Sequence, residues 1–133
     1  MFGTFDISVS GMRAERVRMS VVAQNIANAN TILDDSGKPN AYRRQMAVFA
    51  QGADENGAPG VRVTEITKDM GRLRRVKDPG SKYADQDGFV NYPNVDIVAE
   101  NVDGLMAARA FEANVAAFEL TKTMIGSALR ILA

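Results

Sequence analysis

The chain has 133 residues, 16 Lys and Arg against 16 Asp and Glu, and no Cys, His or Trp, a length that holds one domain with a modest core. Without Cys or His there can be no disulfide, no thiolate or imidazole metal site and no Ser-His or Cys-His nucleophile pair. A formal charge of zero gives no general attraction to nucleic acid or anionic membrane, so any partner must be recognised locally.

The beginning of the chain, Met1-Phe2-Gly3-Thr4-Phe5-Asp6, lacks the basic and apolar regions of a secretory leader, and no window reaches the run of about 18 apolar residues that a membrane span needs. Neither a Sec address nor direct membrane insertion is expected. All four prolines and seven of the 11 glycines fall between residues 31 and 94. These breakers divide the chain into a first helix (1–30, regular from Phe5), an insert of loops and short strands (31–94) and a long second helix (95–133). The predicted fold is mainly α with a small β-rich insert, an α+β arrangement.

In the first helix Phe5, Met12, Met19 and Ile26 recur every seven residues, a coiled-coil-like seam joined by Val9 and Ala23. Val17 and Val21 form a second, weaker patch. Asn25, Asn28 and Asn30 crowd the end of this helix, where they either terminate it or fix the register of a packed seam.

In the insert, 42–50, 61–67 and 71–77 show the partial alternation and β-branched content of a small antiparallel sheet. Asp34-Asp35-Ser36-Gly37, Asp54 to Gly60 and Asp78-Pro79-Gly80 are turn sequences. Asp85-Gln86-Asp87-Gly88 has a fragment of a calcium loop but not its remaining ligand spacing, so a turn is expected there. Arg72, Arg74, Arg75 and Lys77 form a basic cluster with no aromatic residue inside it, and nucleic acid is not an expected partner. No glycine-rich phosphate loop occurs. Catalytic, cofactor-binding and metal-binding residues are all predicted to be absent.

The second helix carries two apolar faces. Val102, Met106, Ala113, Ala117, Leu120, Met124 and Ile131 lie together, and Phe111, Val115, Phe118, Ile125, Leu129 and Leu132 lie roughly opposite them. A helix apolar on two sides needs partners on two sides. One is the first helix, paired antiparallel, with Met12, Met19 and Ile26 expected against the Leu120 and Met124 face. For the other, a neighbouring subunit is preferred over the insert, which is poor in apolar runs. Phe111, Val115, Phe118, Ile125 and Leu129 lead the expected intersubunit residues, with Phe5, Met12, Met19, Asn25, Ile26, Asn28, Asn30, Asn114, Leu120 and Met124 as further expected interface positions. A free-standing α+β protein-binding module is the alternative reading.

Asn25-Ile26-Ala27-Asn28-Ala29-Asn30-Thr31, preceded by Ser10-Gly11-Met12-Arg13-Ala14, resembles the N-terminal signature of bacterial flagellar axial proteins. Gly88-Phe89-Val90-Asn91-Tyr92-Pro93-Asn94-Val95-Asp96, then Glu100, Val102-Asp103 and Ala108-Arg109-Ala110-Phe111-Glu112-Ala113-Asn114-Val115, are similar to the basal-body rod proteins of that superfamily, as is Tyr42-Arg43-Arg44. The resemblance implies a structural subunit of the proximal rod in the flagellar basal body, without enzymatic activity. Its terminal helices would pack with those of neighbours into a hollow, torque-transmitting tube crossing the periplasm. Implied partners are further copies, other rod proteins, a motor-ring or export-gate adaptor on the proximal side, distal rod proteins and the flagellar type III export apparatus. Phe111 stands where these proteins usually carry Tyr, and Gly104, inside the second helix, leaves open either a close helix approach or a bend.

Overall fold

A computed structural model describes residues 2–54 and 57–132. Glu55 and Asn56 of the expected turn, and the side chain of Leu132, lie outside the described residues. The order of elements is α1 (Phe2–Ala27), β1 (Gln45–Gln51), β2 (Val61–Lys68), β3 (Arg74–Lys77), β4 (Phe89–Tyr92) and α2 (Ile97–Leu132).

Helix α1 ends three residues before Asn30 because Asn28 turns its side chain back on the helix. Its Nδ2 donates to the Gln24 carbonyl and its Oδ1 accepts from the Thr31 hydroxyl, local bonds that compete with helix continuation. Helix α2 begins beside Asp96, whose Oδ1 accepts the Val98 and Ala99 N–H groups and so caps two of the unpaired amides of the first turn. It continues through Gly104 as one uninterrupted helix, with Gly104 in close approach to Val22 of α1.

The insert makes two ribbons, where the sequence suggested one sheet. β1 pairs antiparallel with β2 through a register shift between Val48 and Phe49. β3 pairs antiparallel with β4, running from Arg74↔Tyr92 to Lys77↔Phe89. The 71–77 segment therefore finds its partner in a strand of four residues too short to announce itself by alternation. Asn94 ties the ribbons together, its Oδ1 accepting the Arg44 N–H and its Nδ2 donating to the Asp69 carbonyl.

The helices pack antiparallel. Phe5 meets Phe118 edge to face, with ring centroids 4.8 Å apart, Gly11 lies beneath Asn114, and Gly104 lies against Val22. The β1–β2 ribbon covers another side of α1, where the Val61 N–H donates to Ser10 Oγ at 3.1 Å. Small side chains dominate the apolar core among the described residues: Ala14, Val21, Val22, Ala29, Ala41, Val90, Val95 and Ala107. The largest fully buried side chains are Glu100, Asn25 and Pro93. The bulkier Met, Leu and Ile side chains are left half-buried or exposed, an inversion of the usual order of burial.

Candidate functional site

Two sites follow from this packing, a buried polar junction that fixes the helices to the insert and an exposed apolar face on α2. The junction centres on Asn25 and Glu100, which are 1% and 0% exposed. Asn25 Nδ2 donates to Glu100 Oε2 at 3.0 Å and to the Gln45 carbonyl at 2.9 Å. Its Oδ1 accepts the Tyr42 hydroxyl and the Gln45 N–H, both at 2.9 Å. One amide thereby uses both donors and both acceptor positions. Arg44 supplies the counter-charge, donating through Nε to Glu100 Oε1 and through Nη2 to Asp103 at 3.1 Å. Arg18 approaches the other Asp103 oxygen at 3.7 Å. Burial, and secondarily the Glu100 charge, raises the Tyr42 hydroxyl above the usual phenol range, because ionisation would place a second anion in a desolvated space.

The faces of α2 are opposite to those expected. Phe118 is turned toward α1 and engages Phe5. Phe111, Asn114, Val115 and Ile125 are half-buried, with Asn114 Nδ2 bonded to the Ala110 carbonyl. The face expected to meet α1 points to solvent: Val102, Met106, Leu120, Met124 and Ile131 are exposed, Ile131 to 85%, and Val98 near them is exposed to 73%. Leu129 alone among the expected intersubunit residues of α2's other face is exposed, at 62%, and Leu120 and Met124 join it from the outward face.

On α1 the seam is likewise displaced. Phe5 touches α2, but Met12, Met19 and Ile26 are half-buried and Ala23 is exposed, while Gly11, Ala14, Val21, Val22 and Asn25 occupy the buried face. Small residues there let backbones approach, so the bulky heptad runs along the flank. Of the three asparagines, Asn25 is used within the chain, Asn28 closes the helix, and Asn30 accepts from Arg74 at 3.5 Å.

The basic cluster gains aromatic neighbours through strand pairing. Arg74 lies over Tyr92 and Arg75 over Phe89, and Arg75 also pairs with Asp85 at 2.7 Å. The 85–88 segment is a turn in which Asp85 Oδ1 accepts the Asp87 and Phe89 N–H groups. The Phe89 amide is the main reason the Asp85 carboxyl lies below the ordinary carboxylate range. Among the described residues no group of three or more His, Cys, Asp or Glu could hold a metal ion, and no helix is long and apolar enough to cross a membrane.

Sequence comparison places this geometry. The family described as Flagella basal body rod protein matches residues 5–32, which is most of α1 and its terminating turn, and the family described as Flagellar basal body rod FlgEFG protein C-terminal matches 86–131, which is β4 and α2. The flagellar basal-body rod protein FlgC of Yersinia enterocolitica is 38% identical over 94% of this chain and 92% of its own length. That of Aquifex aeolicus is 40% identical over 92% and 90%, and that of Borreliella burgdorferi 36% identical over 99% and 97%. The chain belongs to the FlgC family of flagellar basal-body rod proteins. It is a structural subunit of the flagellar basal-body rod that assembles with other rod proteins. Both FlgC-family sites now have a context: the junction holds α1, α2 and the insert in one arrangement, and the outward face is what that arrangement presents.

The sequence signal for the junction was present but read otherwise. Arg44 stood in a predicted strand, and Glu100 only within the stretch of family resemblance. A Glu near the start of a helix, between Ala99 and Asn101, carries no periodic mark of a buried ion pair. The outward face was visible as a stripe, but helical periodicity is symmetric with respect to which stripe meets the intramolecular partner.

Proposed function

We propose that the outward face of α2 is the surface by which this subunit polymerises with further copies and with other rod proteins into a hollow shaft that transmits torque. The observation that carries this reading is the reversal of burial, with Ala and Val inside the chain and Val98, Val102, Met106, Leu120, Met124 and Ile131 outside it. Fully burying each such large side chain contributes roughly 1.5–3 kcal/mol, a reserve that association can draw on after its own entropic cost. The shaft crosses the periplasm. The subunit reaches it unfolded through the flagellar type III export apparatus, meeting a motor-ring or export-gate adaptor proximally and distal rod proteins at the other end. Assembly completes the ordering of α2, offsetting the conformational entropy that a single copy leaves uncompensated.

Met106→Asp and Leu120→Asp test the reading. Each places a carboxylate where a neighbour would bury it, yet neither position is covered within the chain. Loss of rod assembly and motility with unchanged helical content in the isolated chain is expected; normal motility from both variants would overturn the reading. Hydrogen exchange gives a second measure. Amides at 122–131 should exchange rapidly in the dilute chain and slowly in rods, whereas slow exchange over this whole segment in the dilute chain would favour a free-standing module.

A further inference from the structure

The β1–β2 ribbon has two strands and so two outer edges. In an antiparallel ladder, residues that bond across the pair alternate with residues whose N–H and C=O point outward. The Asp69 N–H donates to the Arg44 carbonyl and the Gly52 N–H to the Gly60 carbonyl, so Gln45↔Lys68 and Gln51↔Val61, one step inside them, are outward pairs. Helix α1 reaches both edges. Asn25 Nδ2 donates to the Gln45 carbonyl and its Oδ1 accepts the Gln45 N–H, the two bonds that a third strand would make there. On the opposite edge Ser10 Oγ accepts the Val61 N–H, and a Cβ on Gly60 would collide with that hydroxyl. α1 therefore spans the ribbon from the start of β1 to the start of β2 and closes one edge at each.

We infer that Asn25 guards the edge of β1: docked, its carboxamide holds the place of a third strand, and when α1 undocks, β1 pairs with β1 of a second copy. The composition of the strands selects that occupant. β1 reads Gln-Met-Ala-Val-Phe-Ala-Gln, without a charge, Pro or Gly, whereas β2 carries Arg62, Glu65 and Lys68 and β3 carries Arg74, Arg75 and Lys77. Charges and prolines are what keep sheet edges from pairing, and short uncharged strand-forming segments without them pair with copies of themselves. The register shift between Val48 and Phe49 disrupts the far half of this edge. The near half has no such device: Ala47, opposite Ile66, is the next outward residue after Gln45, and among the described residues no third strand lies beside it. This contact belongs to the insert and is independent of the α2 face proposed for assembly.

Asn25→Ala removes the guard, while Arg44→Met breaks the Glu100 pair of the same junction and takes away no bond between Asn25 and Gln45. The two isolated chains would be brought to the same folded fraction in urea and followed by light scattering and thioflavin T fluorescence. Thioflavin-positive oligomers from Asn25→Ala and none from Arg44→Met are expected; equal association of the two, or no association of Asn25→Ala, would overturn the inference. Adding Val48→Lys, a charge on the exposed side of β1, to Asn25→Ala should abolish the oligomers, and their persistence would place the contact elsewhere and refute it. If Asn25→Ala does not fold, the otherwise native chain supplies the answer, since it contains no cysteine. Ala47→Cys and Lys68→Cys chains would be oxidised in urea concentrations that loosen α1. A higher yield of disulfide-linked dimer at Ala47→Cys supports pairing through β1, and a yield no greater than that at Lys68→Cys refutes it.

Discussion

At the scale of single residues, Asn25 and Glu100 are the largest charged or polar side chains fully buried among the described residues. Asn25→Ala strips donors or acceptors from Tyr42, Gln45 and Glu100 together, and should lower the stability of the isolated chain by roughly 3 kcal/mol in urea titration. Arg44→Met leaves the Glu100 carboxylate buried without its guanidinium and should cost a similar amount, about 3 kcal/mol. Adding Glu100→Met to Arg44→Met should recover part of that loss, since an apolar pair replaces a stranded charge; strictly additive losses would refute the junction as a coupled unit. Tyr42 makes a pH-dependent contribution of defined sign. Its folded pKa is raised, so the stabilisation is complete below the unfolded phenol value of about 10 and declines as pH rises from there through the folded value. The stability gap between the native chain and Tyr42→Phe should therefore narrow above about pH 10, read by denaturation at matched pH.

At the scale of elements, close approach of α1 and α2 depends on two glycines with different margins. A Cβ on Gly11 would come within 2.7 Å of Asn114 Oδ1, while one on Gly104 would sit 3.3 Å from Val22 Cγ1. Each alanine gains roughly 1 kcal/mol of helix propensity. At Gly104 the small crowding offsets this gain, and thermal unfolding should place Gly104→Ala within about 1 kcal/mol of the native chain. Relief at Gly11 requires moving an amide bonded to the Ala110 carbonyl, so Gly11→Ala should be destabilising by about 1–2 kcal/mol. Equal effects at the two sites would contradict the observed helix spacing.

The elements also show what a sequence can disclose. Both helices, their antiparallel pairing, β1 and β2 follow from periodicity and breaker placement. β4 does not, because four residues ending in Asn91 and Tyr92 gain strand character only from pairing with β3. The seven-residue repeat in α1 was a true pattern with a different use: bulky side chains mark a seam by their size, but here Gly11, Ala14 and Val22 form the close contact. Nothing in a single chain's pattern states which apolar stripe is reserved for its own helix, so the residues of α2 were legible as two sets and their directions were not. Burial of Glu100 depends on Arg44 arriving from 56 positions away, beyond any local signal.

At the scale of the whole molecule, the subunit has an ion-paired junction, a core of small side chains and large apolar surface along its longest helix. That combination suits a polymer subunit, whose interior is finished by its neighbours. Under the proposed assembly, equal numbers of acidic and basic residues would let many copies pack without a large net self-repulsion, with no thiol or imidazole required. The most direct test uses that absence. Single cysteines at Met106 and Leu120 would be labelled with a maleimide in the isolated chain and in purified basal bodies, with Thr123→Cys, at an exposed polar position of α2, as a reference. Rapid labelling of Met106→Cys and Leu120→Cys in the isolated chain and strong protection in the rod, relative to the reference, is the predicted result. Equal labelling in the two states would show that the outward face of α2 remains in solvent after assembly, and would contradict the central claim.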